Sequence, residues 1–247
     1  MPASLLPDHI VEDRRAAARE LCLALWALNR APTTISIGEM FLAPALTIRL
    51  DVPCPAGMQP AQQLAQTRRF LREHGVDAHA EFCAEAYPRQ ALTLPTVADV
   101  WRLSTVVLEL LPAPSAARYR LSRAARDIGI EWLSTVLYPN PHAPLIRPED
   151  LSVGAAQRLH KALTQRPVAL AVNPQDEAAV EELLDELTAE LVTAAGERFL
   201  LYQTDEGAIR FSTITPEAAE RLADALAQYT CRMRALLAVV MFDEQAS

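Results

Sequence analysis

His79, Glu81 and Cys83 alternate along Val76–Cys83, a stretch whose residue types read as a β-strand, and alternation puts all three on one face. Imidazole, carboxylate and thiolate are zinc donors, so this face offers a metal-dependent enzyme with an unfamiliar site as one reading. The plainer reading, a half-exposed polar strand face, carries more weight, because zinc needs further thiolates held in a fixed loop. A second cluster is basic. Arg118, Arg120, Arg123 and Arg126 fall within the helical segment Ser115–Asp127. The planar fork of arginine suits carboxylate or phosphate. The cluster therefore has three possible destinations: nucleic acid, an acidic protein partner, or the chain's own acidic helix over Asp176–Glu190.

The run His79-Ala80-Glu81 resembles the H-A-E box of zinc deaminases. That resemblance implies His79 as a zinc ligand and Glu81 as the group that moves protons. The family's P-C-x-x-C half does not follow here. Cys83 lies two residues past the glutamate, Cys54 lies upstream and Cys231 is distant. No other catalytic signature is legible. The 7 glycines do not form G-x-x-x-x-G-K or G-x-G-x-x-G, so neither common phosphate cradle is present, and G-x-S-x-G is absent. The histidines, His9, His74, His79, His142 and His160, stand singly. Asp205 and Glu206 sit where turn chemistry alone favours acids. No cofactor is expected, and the reading leans away from an enzyme.

Composition narrows the classes further. Hydrophobic residues make up 51% and charged residues 22%, enough for a real core. The net charge of −8 argues against general nucleic-acid binding, which needs a basic surface. Aromatic content of 6% argues against stacking platforms for single strands. Cys22, Cys54, Cys83 and Cys231 form no C-x-x-C pair. Together with an N-terminus lacking a secretory pattern, and no apolar run long enough to span a membrane, this predicts a cytoplasmic protein with unpaired thiols. The excess of arginine over lysine, with abundant alanine, suggests a bacterial, GC-rich gene.

The elements that must position these residues follow from periodicity and punctuation. Helices are predicted over Pro7–Asn29, Pro60–His74, from Thr96 to Leu111, over Ser115–Asp127, Ser152–Thr164 and Gln175–Ala195, and from Thr215 onward. In the helix after Thr96 the inward residues include Val97, Val100, Trp101, Val107, Leu108 and Leu111. Strands are predicted at Thr33–Ile37, Leu46–Val52, Val76–Cys83, Gln90–Leu94, Arg166–Val172, Arg198–Gln203 and Ala208–Thr213, the last two as a hairpin around Gly207. Ile130–Tyr138 is ambiguous between helix and strand. In the closing helix, Leu222, Leu226, Tyr229, Met233, Leu236 and Val240 form a seam, expected to be core rather than a coiled-coil interface.

The stretch Pro139–Pro148 holds four prolines and reads as an irregular connection. The expected organisation is an N-terminal helix and mixed lobe over 1–138, a Pro-rich connection over 139–148, and a C-terminal lobe over 149–247. No convincing repeat is legible; the order strand pair, helix, strand pair, helix from Thr33 to Leu111 is at most a loose duplication. The C-terminal pattern, Val172-Asn173-Pro174-Gln175-Asp176 followed by Gly207 and Leu222/Leu226, resembles the globular end of peripheral-stalk proteins of rotary and secretion ATPases. It departs from them upstream, where predicted strands replace the charged helical stalk. The expected fold is α/β or α+β, with two small lobes of short sheets covered by helices. The expected function is a non-enzymatic interaction protein: an adaptor, chaperone or assembly factor, of a bacterial secretion or mobile-element system, with a protein partner.

Overall fold

The computed structural model describes residues 8–27, 35–38, 47–53, 57–83, 89–140, 143–164 and 172–245. The chain divides into two compact units, Met1–Leu111 and Pro112–Ser247. All described strand pairings are antiparallel, and helices alternate with strand pairs, which makes the fold α+β.

The first unit runs α1 (Asp8–Ala27), β1 (Ile35–Gly38), β2 (Thr47–Pro53), α2 (Pro60–Glu73), β3 (His79–Cys83), β4 (Arg89–Leu94) and α3 (Val97–Glu109). Its sheet has the order β1-β2-β4-β3. α1 packs against α3. Each buries an apolar stripe, Ala17, Leu21 and Ala24 on one and Val100, Leu103 and Val107 on the other. Trp101, expected inside, is 42% exposed. Residues three or four apart share a helix face, and Val100, Leu103 and Val107 fill the inward one, which turns position 101 aside. Local chemistry sets the element ends. Pro60 opens α2, where a missing N–H costs nothing, and Gly75 takes a left-handed φ of 64° just beyond it. Thr96 caps α3 by accepting the Asp99 N–H, and its hydroxyl donates to the Asp99 carboxylate. That carboxylate also accepts the Asp77 N–H at 3.1 Å, fastening the approach to β3 to the start of α3. α2 lies against β3, and the Thr67 hydroxyl donates to Gln90 Oε1 of β4 at 2.7 Å.

The second unit runs α4 (Ala113–Asp127), β5 (Ser134–Asn140), β6 (Ala143–Pro148), β7 (Leu151–Ser152), α5 (Val153–Thr164), α6 (Glu177–Ala195), β8 (Leu201–Gln203), β9 (Ala208–Phe211) and α7 (Pro216–Gln245). Asp176 caps α6 and Gly196 ends it at φ 69°. Thr215 caps α7 by accepting the Ala218 N–H. α4 packs on α7, and the core gathers Leu121, Trp132, Leu159, Leu187, Phe199 and Leu222. The strand expected at Arg166–Val172 falls on residues 166–171, outside the described residues.

The expected connection at Pro139–Pro148 is corrected here. It forms most of the hairpin β5–β6, and the division between units lies at Leu111/Pro112 instead. Pro139 and Pro148 are accommodated where a ladder can spare an N–H. Pro139 falls in the irregular stretch between Leu137 and Asn140 on an edge strand, and Pro148 is the last residue of β6. Trp132 anchors the hairpin. It is buried, donates Nε1–H to the Glu149 carbonyl at 3.0 Å, and meets the Phe211 ring with centroids 4.9 Å apart.

A repeat that the sequence hides is visible in the topology. The bridge Ile146↔Ile214 and the pairs Leu151↔Ile209 and Ser152↔Ala208 keep one register, so β6 and β7 act as one interrupted strand beside β9. The second unit has a two-stranded sheet β5-β6 and a three-stranded sheet β7-β9-β8; taken together across that isolated bridge they follow the order β5-β6/β7-β9-β8, the same as β1-β2-β4-β3. In both units the first helix packs on the last, and the last helix is capped by a threonine. The second unit differs by carrying two helices, α5 and α6, where the first has α2.

Candidate functional site

On β3 the alternation places His79 and Glu81 on the exposed side, with Ala80 buried between them. His79 Nε2 stands 3.9 Å from Glu81 Oε2, and the two side chains are 68% and 51% exposed. The backbone register puts Cys83 opposite Arg89, while the Cys83 side chain lies outside the described residues. Among the described residues no group of three His, Cys, Asp or Glu side chains converges as a metal site would require.

The arginine cluster separates by face. Arg118 is 1% exposed, within the unit's core rather than on a surface. Desolvation pulls its pKa down to about 10, opposed by the charge of Glu149. Arg120 reaches α7, with Nη2 2.6 Å from Asp224 and Nη1 3.5 Å from Glu220. Arg123 donates to the Tyr119 hydroxyl at 3.3 Å, and Arg126 is half-buried. Arg120 thus meets acidic residues of α7. Arg118 and Arg120, two residues apart, do not share a face of α4, so Arg118 turns inward while Arg120 stays exposed.

A different surface carries the exposed apolar groups. In the second unit, strand alternation turns Ile209 and Phe211 inward, where both are buried. It leaves Leu200 and Tyr202 outward, 67% and 51% exposed. Arg210, paired with Tyr202 across β8–β9, places its guanidinium 5.9 Å from that ring. The same guanidinium grips Asp150 with Nε and Nη2, at 2.9 and 2.6 Å from Oδ2. This contact holds the Asp150 carboxyl below the usual carboxylate range. At the opposite edge of the sheet, β5 exposes Leu137 and Tyr138. Sequence reasoning singled out none of these residues, although the alternation that buries Phe211 implies an outward Arg210.

The closing-helix seam is core over its first part only. Leu222 and Leu226 are fully buried, Tyr229 is half-buried, and Met233 is 38% exposed. The expectation that Met233 is core is corrected: α7 has run past the elements that cover Leu226. The side chains of Leu236 and Val240 lie outside the described residues. No helix among the described residues is long and apolar enough to cross a membrane. No family model matches the chain, and the searches of curated proteins and of solved structures likewise find no match.

Proposed function

We propose that the protein is a non-enzymatic interaction protein, an adaptor, chaperone or assembly factor, that docks a protein partner on the outward side of its second sheet. The observation that carries this reading is the exposure of Leu200, just before the edge strand β8, and of Tyr202 within it, together with that of Leu137 and Tyr138 on β5. Large apolar side chains on open strand edges are a hazard that a protein retains where a partner covers them. Tyrosine and arginine also supply most binding hot spots, and Arg210 is held in place by Asp150 and Tyr202, so little side-chain entropy remains to be lost on binding. The arginine excess and the absence of C-x-x-C pairs favour the bacterial cytoplasm as the setting, and the C-terminal resemblance to peripheral-stalk proteins favours a secretion or mobile-element system as the pathway. Co-purification of a stoichiometric protein partner, abolished by Leu200→Glu with Tyr202→Glu, tests the proposal.

A further inference from the structure

The first unit holds a separate surface with its own chemistry. A groove of about 400 Å³ lies beside the C-terminal half of α2, and its wall includes Arg68, Arg72 and Asp77 with the apolar Leu71, Val76 and Ala78. Leu71 and Val76 are buried and give it an apolar floor. Ala78 leads straight into β3, which is an edge strand with β4 as its neighbour among the described residues. The groove therefore ends where an edge strand begins. Arg68 already occupies part of that edge: Nε and Nη2 donate to the Ala80 carbonyl at 3.2 and 2.8 Å. A charged side chain laid on an edge strand keeps it from pairing indiscriminately. Arg72 lies one turn further along α2, so both guanidiniums rise on the same side of the helix. Arg102 serves the helix end by donating to the Gly75 carbonyl, which leaves Arg72 without that task. Arg69 is held by Glu73 at 2.7 Å.

We propose that this groove docks an extended acidic peptide segment of a protein partner, running beside β3 with a carboxylate taken by Arg68 and Arg72. Three considerations select that occupant. The groove's wall carries two arginines against one aspartate, Asp77, on a chain whose net charge is −8, so an acidic segment is attracted here more than to much of the remaining surface. An extended backbone uses the edge of β3 that is unpaired among the described residues, beside Arg68, which a small anion would leave unused. The floor of Leu71 and Val76 offers an apolar surface to an inward-facing side chain of such a strand. Arg68 supplies selectivity, because exchanging a neutral carbonyl for a carboxylate gives the guanidinium a charge-assisted bond of roughly twice the strength. This site is independent of the sheet face in the second unit, and either can fail without the other.

The test is selection from a display library of short random peptides with the full chain as bait. Enriched peptides should carry Asp or Glu at a fixed position between β-branched neighbours. Their affinity should fall about tenfold for Arg68→Ala with Arg72→Ala, and stay within about twofold for Arg69→Ala. Circular dichroism confirms that each variant is folded, and Arg72→Glu, at an exposed position, replaces the double variant if it is not. A library that yields no acidic consensus, or peptides that bind equally well without Arg68 and Arg72, overturns the proposal. So does displacement by inorganic phosphate as effective as by the peptide itself, which would make the groove a free-anion site.

Discussion

Arg210 of β9 clasps Asp150, the residue just before β7, through two nitrogens, Nε and Nη2, with its closest contact at 2.6 Å. The pair sits where the interrupted strand β6/β7 needs fastening to β9, and it turns the guanidinium toward Tyr202. It links the repeated sheet topology to the surface proposed to bind a partner.

The pair has a defined pH signature. The bond to Arg210 lowers the folded carboxyl of Asp150, so the folded chain binds that proton less readily than the unfolded one. Its contribution is fully present above the unfolded carboxylate range near about pH 4, and is lost as pH falls through the lower folded value. Asp150→Asn should cost roughly 0.5–1 kcal/mol at neutral pH, given the partial exposure of both groups. The gap from wild type should close as pH drops below about 4. Urea unfolding at several pH values measures it, and a gap constant down to the lowest pH would contradict the assignment.

The closing helix separates core from surface within two turns. Leu226 is fully buried, so Leu226→Ala should destabilise by about 2–5 kcal/mol. Met233 is partly exposed, so Met233→Ala should shift stability by under about 0.5 kcal/mol in the monomer. Equal losses in urea unfolding would place both in the core.

The unit boundary is testable by truncation. Residues 112–247 keep α4 with α7 and Trp132 with Phe211, and should unfold cooperatively alone. Residues 149–247 lose α4 and Trp132 and should not. A cooperative transition in the shorter fragment would restore Pro139–Pro148 as a connection between lobes.

The arginines of α4 should act on stability rather than on binding. Arg118 is buried, so Arg118→Ala should cost about 2–4 kcal/mol through lost packing and a vacated volume. Arg120→Ala, which breaks exposed pairs to Asp224 and Glu220, should cost under about 1 kcal/mol. Denaturation midpoints distinguish the two, and a near-neutral Arg118→Ala would mean that the side chain is not packed as described.

Local signals were legible where one residue sets the geometry. Thr96 and Thr215 cap their helices as their side chains require, and Gly196 ends α6 in the left-handed region, while Asp176, expected inside that helix, caps it instead. The hairpin around Gly207 and the buried face of Ile209 and Phe211 follow from alternation. Proline density misled at Pro139–Pro148, because a bulged edge strand spares the N–H groups that proline lacks. Arg118 misled because side-chain type says exposed, while its position on α4 faces the core. The repeat was hidden because it resides in strand order and pairing register, which different residues realise in the two units. Of the candidate surfaces, the face of His79 and Glu81 was legible from alternation alone. The apolar edge at Leu200 and Tyr202 was not singled out, since exposed apolar residues look like core residues until the fold assigns their side.

The most direct test of the interaction reading is quantitative affinity purification of the full chain from cells of its source, compared with Leu200→Glu plus Tyr202→Glu. Both substituted side chains are exposed, so the fold should be preserved, which circular dichroism verifies. The account predicts a partner protein in stoichiometric amount with the wild type and its loss with the variant, while Arg120→Ala retains it. A partner recovered equally with both, or no stoichiometric partner at all, would contradict it.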